Sequence, residues 1–502
     1  MKPEQIRTAV LAWEKGRALI KAGRLAEAEA QLRVAIRFMP KSADLLADYA
    51  RLAERLGDWN AAARNWQAVA AAAPDRAVGN HVGLALLQLG RNAEALPWLE
   101  RYAVQHPGDT QSALNLAVAW SRLGDDGRAI TLLGRITQVQ PGNRLAWESL
   151  ATLQVNTADA AGAEQTLATA LTHFPGDTEL QYLLMDHRLK NRQFADGFAR
   201  FDARWRTRFF NGVMHLPKEH RWQGEAFDGT LLVRAEQGLG DELLYSGNYP
   251  DLAQRHLPCL VECDRRLLPL MQRSLPALQF IERPPMGTAG SPPPWQRDIM
   301  AGDLCRLFRS DAGAFPSQPG WLLADATRAA ALRERYLANA GRTLRVGVSW
   351  RSRHPEYGTA KSLALPDLLP LWRTPGVTFF DLQYGDTRAE REALRDTHGV
   401  ALVRDDSIDP MHDIDGLAAQ MSALDLVIST SNSTVHLAGA LGIPTWLMLH
   451  RDSGLPWYWA YEGERVPWYP ATEIFRCRAR GAWQPVLDAV ATRLRQRVTI
   501  DL

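Results

Sequence analysis

Three short stretches of the chain hold residue types that bind and move charge. In residues 235–250, Gly238 and Gly240 bracket a single leucine and are followed by Asp241. Two glycines let a backbone approach a ligand closely, and the start of a following helix leaves N–H groups unpaired. A carboxylate in a first helical turn is favoured by the helix dipole, so Asp241 reads either as a cap or as a reacting group. The Gly-x-Gly pair falls short of the full dinucleotide fingerprint. In residues 347–365, an apolar run ends at Ser349 and Trp350, and Arg351, Arg353 and Lys361 follow with Ser352, Thr359 and Ser362. Cations and hydroxyls in a loop past a strand suit a diphosphate, although a solvated basic loop accounts equally well for any one of them. The third and most specific stretch is 425–449. There an apolar run enters Ser429-Thr430-Ser431-Asn432-Ser433-Thr434, then a small-residue helical pattern carrying His436. Hydroxyls and free N–H groups at a helix start make an anion site without a metal.

These residues need a scaffold that brings strand ends together. Apolar β-type runs at 230–236, 258–263, 277–282, 344–350, 377–383, 400–403, 425–430 and 445–449 alternate with helix-length segments, which predicts parallel sheets with crossover helices. A break near 325–343 divides the strands into two Rossmann-like halves, and residues 284–295 read as a Pro-rich loop. In such sheets ligands bind beyond the carboxyl ends of the strands, where the three stretches fall. Residues 452–470 concentrate Trp457, Trp459, Trp468 and three tyrosines, read as a loop packed on the core in preference to one stacking on a base or sugar. The closing helix is expected at about 481–497.

The first two fifths follow a different rule. Prolines recur at 40, 74, 107, 141 and 175, alanines at 28, 62, 95, 129 and 163, and glycines at 23, 57, 90 and 124, with Ala158 in the fifth glycine slot. A period of about 34 with Gly ending one helix, Ala at a close crossing and Pro stopping the next is the pattern of stacked helix pairs. Leu32, Trp66, Leu99, Leu133 and Leu167 would fill the gaps between pairs. A degenerate sixth unit is expected at 177–210, with Asn191 in the Gly slot and Asp196 in the Ala slot.

Composition bounds the rest. The 502 residues suggest about three or four domains. The charge of +2 argues against bulk phosphate neutralisation and hence against a nucleic-acid coat protein. No apolar run reaches 18 residues, the N-terminus lacks a signal-peptide core, and four scattered cysteines read as reduced core thiols of a cytoplasmic protein.

Taken in order, FDARW (201–205), RWQGE (221–225), AEQGLGDELLYS (235–246), GVSWR (347–351), 411–429, HLAGALGIPTWLML (436–449) and VPWYP (466–470) with GAW (481–483) resemble a bacterial group of tetratricopeptide-repeat (TPR) glycosyltransferases. Their catalytic region is of the heptosyltransferase-like GT-B fold, and their architecture is similar to that of protein O-GlcNAc transferases. The resemblance implies a TPR superhelix over 1–200, a junction over 201–229, an acceptor-side Rossmann-like domain over 230–335 and a nucleotide-sugar domain over 336–502. It implies Asp241 as acceptor base and Lys361 against the donor phosphates; since an acceptor hydroxyl must lose its proton, Glu236 is a second candidate base. It also implies a donor-phosphate turn over 429–436, in which Ser431 and Asn432 stand where the family has Asp-Thr while His436 is kept. Catalytic roles are therefore expected for Asp241, Glu236 and His436. Donor binding is expected for Lys361, Arg351, Ser349, Ser431, Asn432, Ser433, Thr434, Gly238 and Gly240.

The expected reaction moves a sugar from a nucleotide-sugar donor to a protein acceptor, flagellin or another surface protein, held by the repeat arm. It needs no metal or further cofactor and inverts the anomeric centre. Asp413-Ile414-Asp415 has the Asp-x-Asp form of metal-dependent sugar transferases, but it precedes a helical pattern and reads as a cap. A non-enzymatic repeat scaffold with a degenerate transferase domain is the alternative. Lipid-linked or lipopolysaccharide acceptors are a third possibility, disfavoured because no membrane-binding helix is evident.

Overall fold

The computed structural model describes residues 3–207, 220–284, 295–340, 343–354, 358–451 and 454–501. The Pro-rich stretch expected at 284–295 lies outside them except for its two end residues, as do 208–219 of the junction, 355–357 of the basic loop and 452–453. The chain packs as two compact units, one of residues 1–154 and 168–174, the other of 155–167 and 175–502. Packing thus divides the chain inside the fifth repeat, upstream of the boundary expected at 200.

The first unit is a stack of helix pairs that realises the 34-residue period. Its pairs include Pro3–Lys21 with Leu25–Phe38, Ala43–Leu56 with Trp59–Ala72, Gly79–Gln88 with Asn92–Gln105, and Thr110–Arg122 with Asp126–Val139. Each second helix stops two residues before the proline slot, as at Phe38 before Pro40. Gly57 takes a φ of 75° and its N–H closes the preceding helix, a left-handed cap that favours glycine. Ala28, Ala62, Ala95 and Ala129 are wholly buried. At Gly83 an added Cβ would lie 2.4 Å from Leu99, so the leucine of one helix seats on bare backbone of its partner. This is a tetratricopeptide-type helical solenoid.

The second unit begins with the later repeat helices. Its sixth pair, Thr178–Lys190 with Phe194–Ala199, corrects the expected register by one residue. Arg192, not Asn191, adopts the positive φ (60°). Gly197, not Asp196, takes the close-approach slot, where a Cβ would meet Leu189 at 2.4 Å. Both keep the 34-residue spacing from Ala158 and Ala163.

Two parallel sheets follow. The first has the order β3-β2-β1-β4, with β1 Leu231–Arg234, β2 Cys259–Cys263, β3 Gln279–Glu282 and β4 Arg297–Met300. The second has the order β6-β5-β7-β8-β9, with β5 Leu344–Ser349, β6 Val377–Asp381, β7 Leu426–Thr430, β8 Thr445–Leu449 and β9 Thr472–Arg476. β4 and β9 escape the sequence reading because both are edge strands carrying charged residues. Conversely, the strand expected at 400–403 reduces to one bridge, Phe380 to Val403. The chain reverses its strand order between β1 and β4 and between β5 and β7, and such points open crevices at the carboxyl ends. All four cysteines are unpaired and buried.

Candidate functional site

The crevice at the β1/β4 switch point is filled by protein. Arg204, from the FDARW stretch, lies buried between the rings of Phe201 and Trp205, 3.9 and 4.2 Å from their centroids. It donates to both oxygens of Glu236 at 3.1 and 3.2 Å and to Asp303 at 2.6 Å. The Gly302 N–H donates to Glu236 at 2.6 Å. Burial raises the Glu236 carboxyl, while Arg204 and the amide pull it down; paired with a guanidinium it stays a carboxylate. Glu236 therefore ties the junction to the sheet, both of its oxygens bonded by Arg204 and one of them also by the Gly302 amide.

One residue beyond, the turn opens. Gly238 is exposed, and its N–H donates to Asp241 at 3.2 Å. Asp241 sits half-buried at the start of helix Leu239–Tyr245, with its carboxyl pushed up to about 6 by burial, against the pull of the Gly238 amide and the Lys361 charge. Lys361 is buried, its ammonium makes no hydrogen bond or ion pair among the described residues, and burial lowers it. A Cβ on Gly240 would stand 3.2 Å from His436 and 3.8 Å from Ser433, so the turn lies directly against helix Ser433–Ala440 of the other half.

The β5/β7 crevice is braced by side chains. Asn432 caps the helix by accepting from the Thr434 N–H at 3.0 Å, and it donates to Ser349 Oγ at 2.7 Å and to the Arg351 carbonyl at 3.1 Å. Ser349 donates to Gln383 at 3.0 Å, and Gln383 also accepts from the Trp350 and Arg351 amides. Ser431 accepts from Trp459 Nε1 at 2.8 Å, and Thr434 is buried beside Ser349. The Arg351 guanidinium pairs with Glu390 and donates to the Asp386 carbonyl. Ser349, Ser431, Asn432 and Thr434 thus shape the backbone, and Arg351 is turned to Glu390. Ser433 differs, being half-buried with a hydroxyl unpaired among the described residues.

His436 bonds Tyr469 Oη at 2.8 Å, stacks on Trp459 at 5.2 Å and meets Tyr458 edge-on at 5.1 Å. Burial, with help from Lys361, drops it to about 3, so it is a neutral imidazole. Tyr458 is half-buried and within electrostatic reach of Asp241, which makes it a wall of the site. The sequence marks its loop only as an aromatic cluster, most of which packs as core.

Of the expected residues, the structure gathers Gly238, Gly240, Asp241, Lys361, Ser433 and His436 at one place between the two sheets. A groove of about 770 Å³ lies one strand over, at the mouths of β2 and β3, lined by Asp264, Arg266, Arg283, His412 and Asp415 among others, and includes none of them. Asp413 caps helix Ile414–Ser422 through the Gly416 N–H at 2.8 Å, as expected, and pairs with Arg328. No cluster of three metal-ligating side chains occurs among the described residues. No helix among them is long and apolar enough to cross a membrane.

No known family profile matches the chain. Protein FlbA of Caulobacter vibrioides (strain ATCC 19089 / CIP 103742 / CB 15) is 28% identical over 496 residues, covering 88% of this chain and 82% of FlbA. Among solved structures, MamA from Desulfovibrio magneticus RS-1 is 19% identical with a TM-score of 0.32, over 34% of this chain and 97% of MamA. YrrB, a TPR protein described as having an unusual peptide-binding site, is 17% identical with a TM-score of 0.32, over 34% of this chain and 89% of its own. PilW, a type IV pilus biogenesis factor, is 19% identical with a TM-score of 0.34, over 40% and 93%.

Proposed function

We propose that the chain is a GT-B-type glycosyltransferase that moves a sugar from a nucleotide-sugar donor to a hydroxyl of a protein acceptor, in the cytoplasm and without a metal. The observation that carries this is a carboxyl poised near 6, Asp241, within electrostatic reach of Lys361, whose ammonium has no carboxylate partner among the described residues, beside the start of helix Ser433–Ala440. Asp241 takes the acceptor proton as the acceptor oxygen bonds the anomeric carbon. The bond from that carbon to the phosphate breaks, and the electron pair leaves on the phosphate. Lys361 and the helix-start amides stabilise that charge. A single base acting in line gives inversion. The TPR stack supplies a surface for the protein acceptor.

The test is transfer itself. The purified chain is incubated with a panel of nucleotide sugars and flagellin or another surface protein, and intact acceptor mass is measured. A glycan increment supports the reading; NMR showing a retained anomer would sink the inversion step.

The commitment of Asn432 and Arg351 to internal bonds favours a second reading, a repeat scaffold without activity. A nucleotide or nucleotide sugar that binds only the folded chain raises its melting temperature, and no response to any of them favours the scaffold.

A further inference from the structure

The turn that carries Asp241 begins in a backbone conformation that its residue disfavours. Gln237 takes a φ of 60°, in the left-handed region where a Cβ is crowded and a glycine would sit with less strain. Its side chain is exposed and makes no hydrogen bond among the described residues, so the side chain does not fix that conformation. Strained backbone persists where its surroundings hold it, and it gathers at reacting sites.

The holding group is Arg283, the residue after β3. Its backbone N–H donates to the Cys263 carbonyl at 2.9 Å, which seats it at the mouths of β2 and β3. Its Nη1 donates to the Gln237 carbonyl at 3.0 Å and pairs with Glu242 Oε1 at 2.9 Å. The other Glu242 oxygen accepts from the Asp264 N–H at 2.7 Å, and the side chain is 2% exposed. One guanidinium nitrogen is therefore fastened to the residue before Gly238 and to the residue after Asp241. Between these two points lie the Gly238 N–H that donates to Asp241 and the Gly240 backbone set against His436. Without the clamp, Gln237 relaxes toward negative φ and carries the Gly238 N–H away from the carboxylate.

We propose that Arg283 is a positioning residue for transfer: by clamping Gln237 and Glu242 it holds the 237–242 turn in the conformation that presents Asp241 to the acceptor hydroxyl. This rests on the reading of Asp241 as the base.

The test compares the full chain with Arg283→Met and with Arg283→Met/Gln237→Gly. Transfer from a nucleotide sugar to flagellin is followed, together with hydrogen exchange of the Gly238 amide by NMR on ¹⁵N-glycine-labelled protein. Arg283→Met lowers kcat by about tenfold or more and leaves KM for the nucleotide sugar within about twofold. Adding Gln237→Gly removes the strain and restores most of kcat. A role in stability alone predicts the reverse, because the glycine adds freedom to the unfolded chain. The Gly238 amide exchanges about tenfold faster in Arg283→Met and slows again in the double variant. Should Arg283→Met misfold, Gln237→Val probes the same strain with Arg283 in place. A β-branched side chain resists the left-handed φ, so kcat falls, and the parent's kcat in Gln237→Val overturns the clamp. Arg283→Met at the parent's kcat, or a loss that the glycine does not relieve, also overturns the clamp and leaves the transferase reading standing. A wild type that transfers no sugar removes the transferase reading. Exchange at Gly238 then decides the clamp by itself, and an amide equally protected in all three chains overturns it.

Discussion

Replacing Asp241 with Asn separates a base from a cap. Burial lifts the Asp241 carboxyl from 3.8 to about 6, which at about 1.4 kcal/mol per unit sets an upper bound of roughly 3 kcal/mol. Partial exposure of the residue trims this to about 1–2 kcal/mol. The sign follows from proton linkage. The folded chain holds this proton more tightly than the unfolded one, so the group's contribution is fully present below about pH 4 and is lost as pH rises through about 6. At pH 7.5 the buried carboxylate is a net cost. Asparagine is neutral throughout and still accepts the Gly238 N–H. Asp241→Asn should therefore melt higher than the parent at pH 7.5, and the gap should close as pH falls to 4. Its transfer rate should drop by about 10²–10⁴ while donor affinity holds, and the wild-type rate should rise through about pH 6. If Asp241 served only as a cap, the change would cost a few tenths to 1 kcal/mol at neutral pH and leave transfer intact. Melting curves from pH 4 to 8, with transfer rates alongside, decide the matter. A variant less stable than its parent at pH 7.5, or one that transfers at the parent's rate, refutes the reasoning.

Two further substitutions probe the buried charges. Arg204→Met strands Glu236 without a counter-ion and leaves Asp303 only Arg221 at 3.6 Å, and should destabilise the α/β unit by about 3–5 kcal/mol in denaturant titration, with Glu236→Gln added on top recovering part of the loss. Lys361→Met removes an ammonium that burial disfavours, so its melting temperature at pH 7 should equal or exceed the parent's, while stabilisation by nucleotide sugars disappears.

The repeat was readable because its determinants are local. A left-handed turn at Gly57, a wholly buried Ala62 and a helix stop before Pro74 each depend on neighbours a few residues away. In the degenerate sixth unit Arg192 and Gly197 keep the 34-residue period, and their neighbours Asn191 and Asp196 do not. Interior strands were readable for a related reason: β5, β7 and β8 are buried along their whole length and so are mostly apolar, Arg345 of β5 being the charged exception. Edge strands β4 and β9 carry Arg297, Asp298, Glu473 and Arg476 and do not stand out from loop.

Residue types at the strand ends were also visible in the chain, but not which of them are spent on the scaffold. Glu236 and Asp241 are both acidic residues in one turn. Arg204, 32 positions from Glu236, takes that carboxylate, while Asp241 accepts only from the Gly238 N–H among the side-chain bonds of the described residues. Asn432 meets Ser349 from 83 positions away, and Arg351 meets Glu390 from 39. Helical period and apolar runs are properties of short windows, so sequence alone determined the solenoid and the parallel strands. A hydrogen bond depends on atoms about 3 Å apart, and for residues separated by whole helices only the packed chain decides whether they meet.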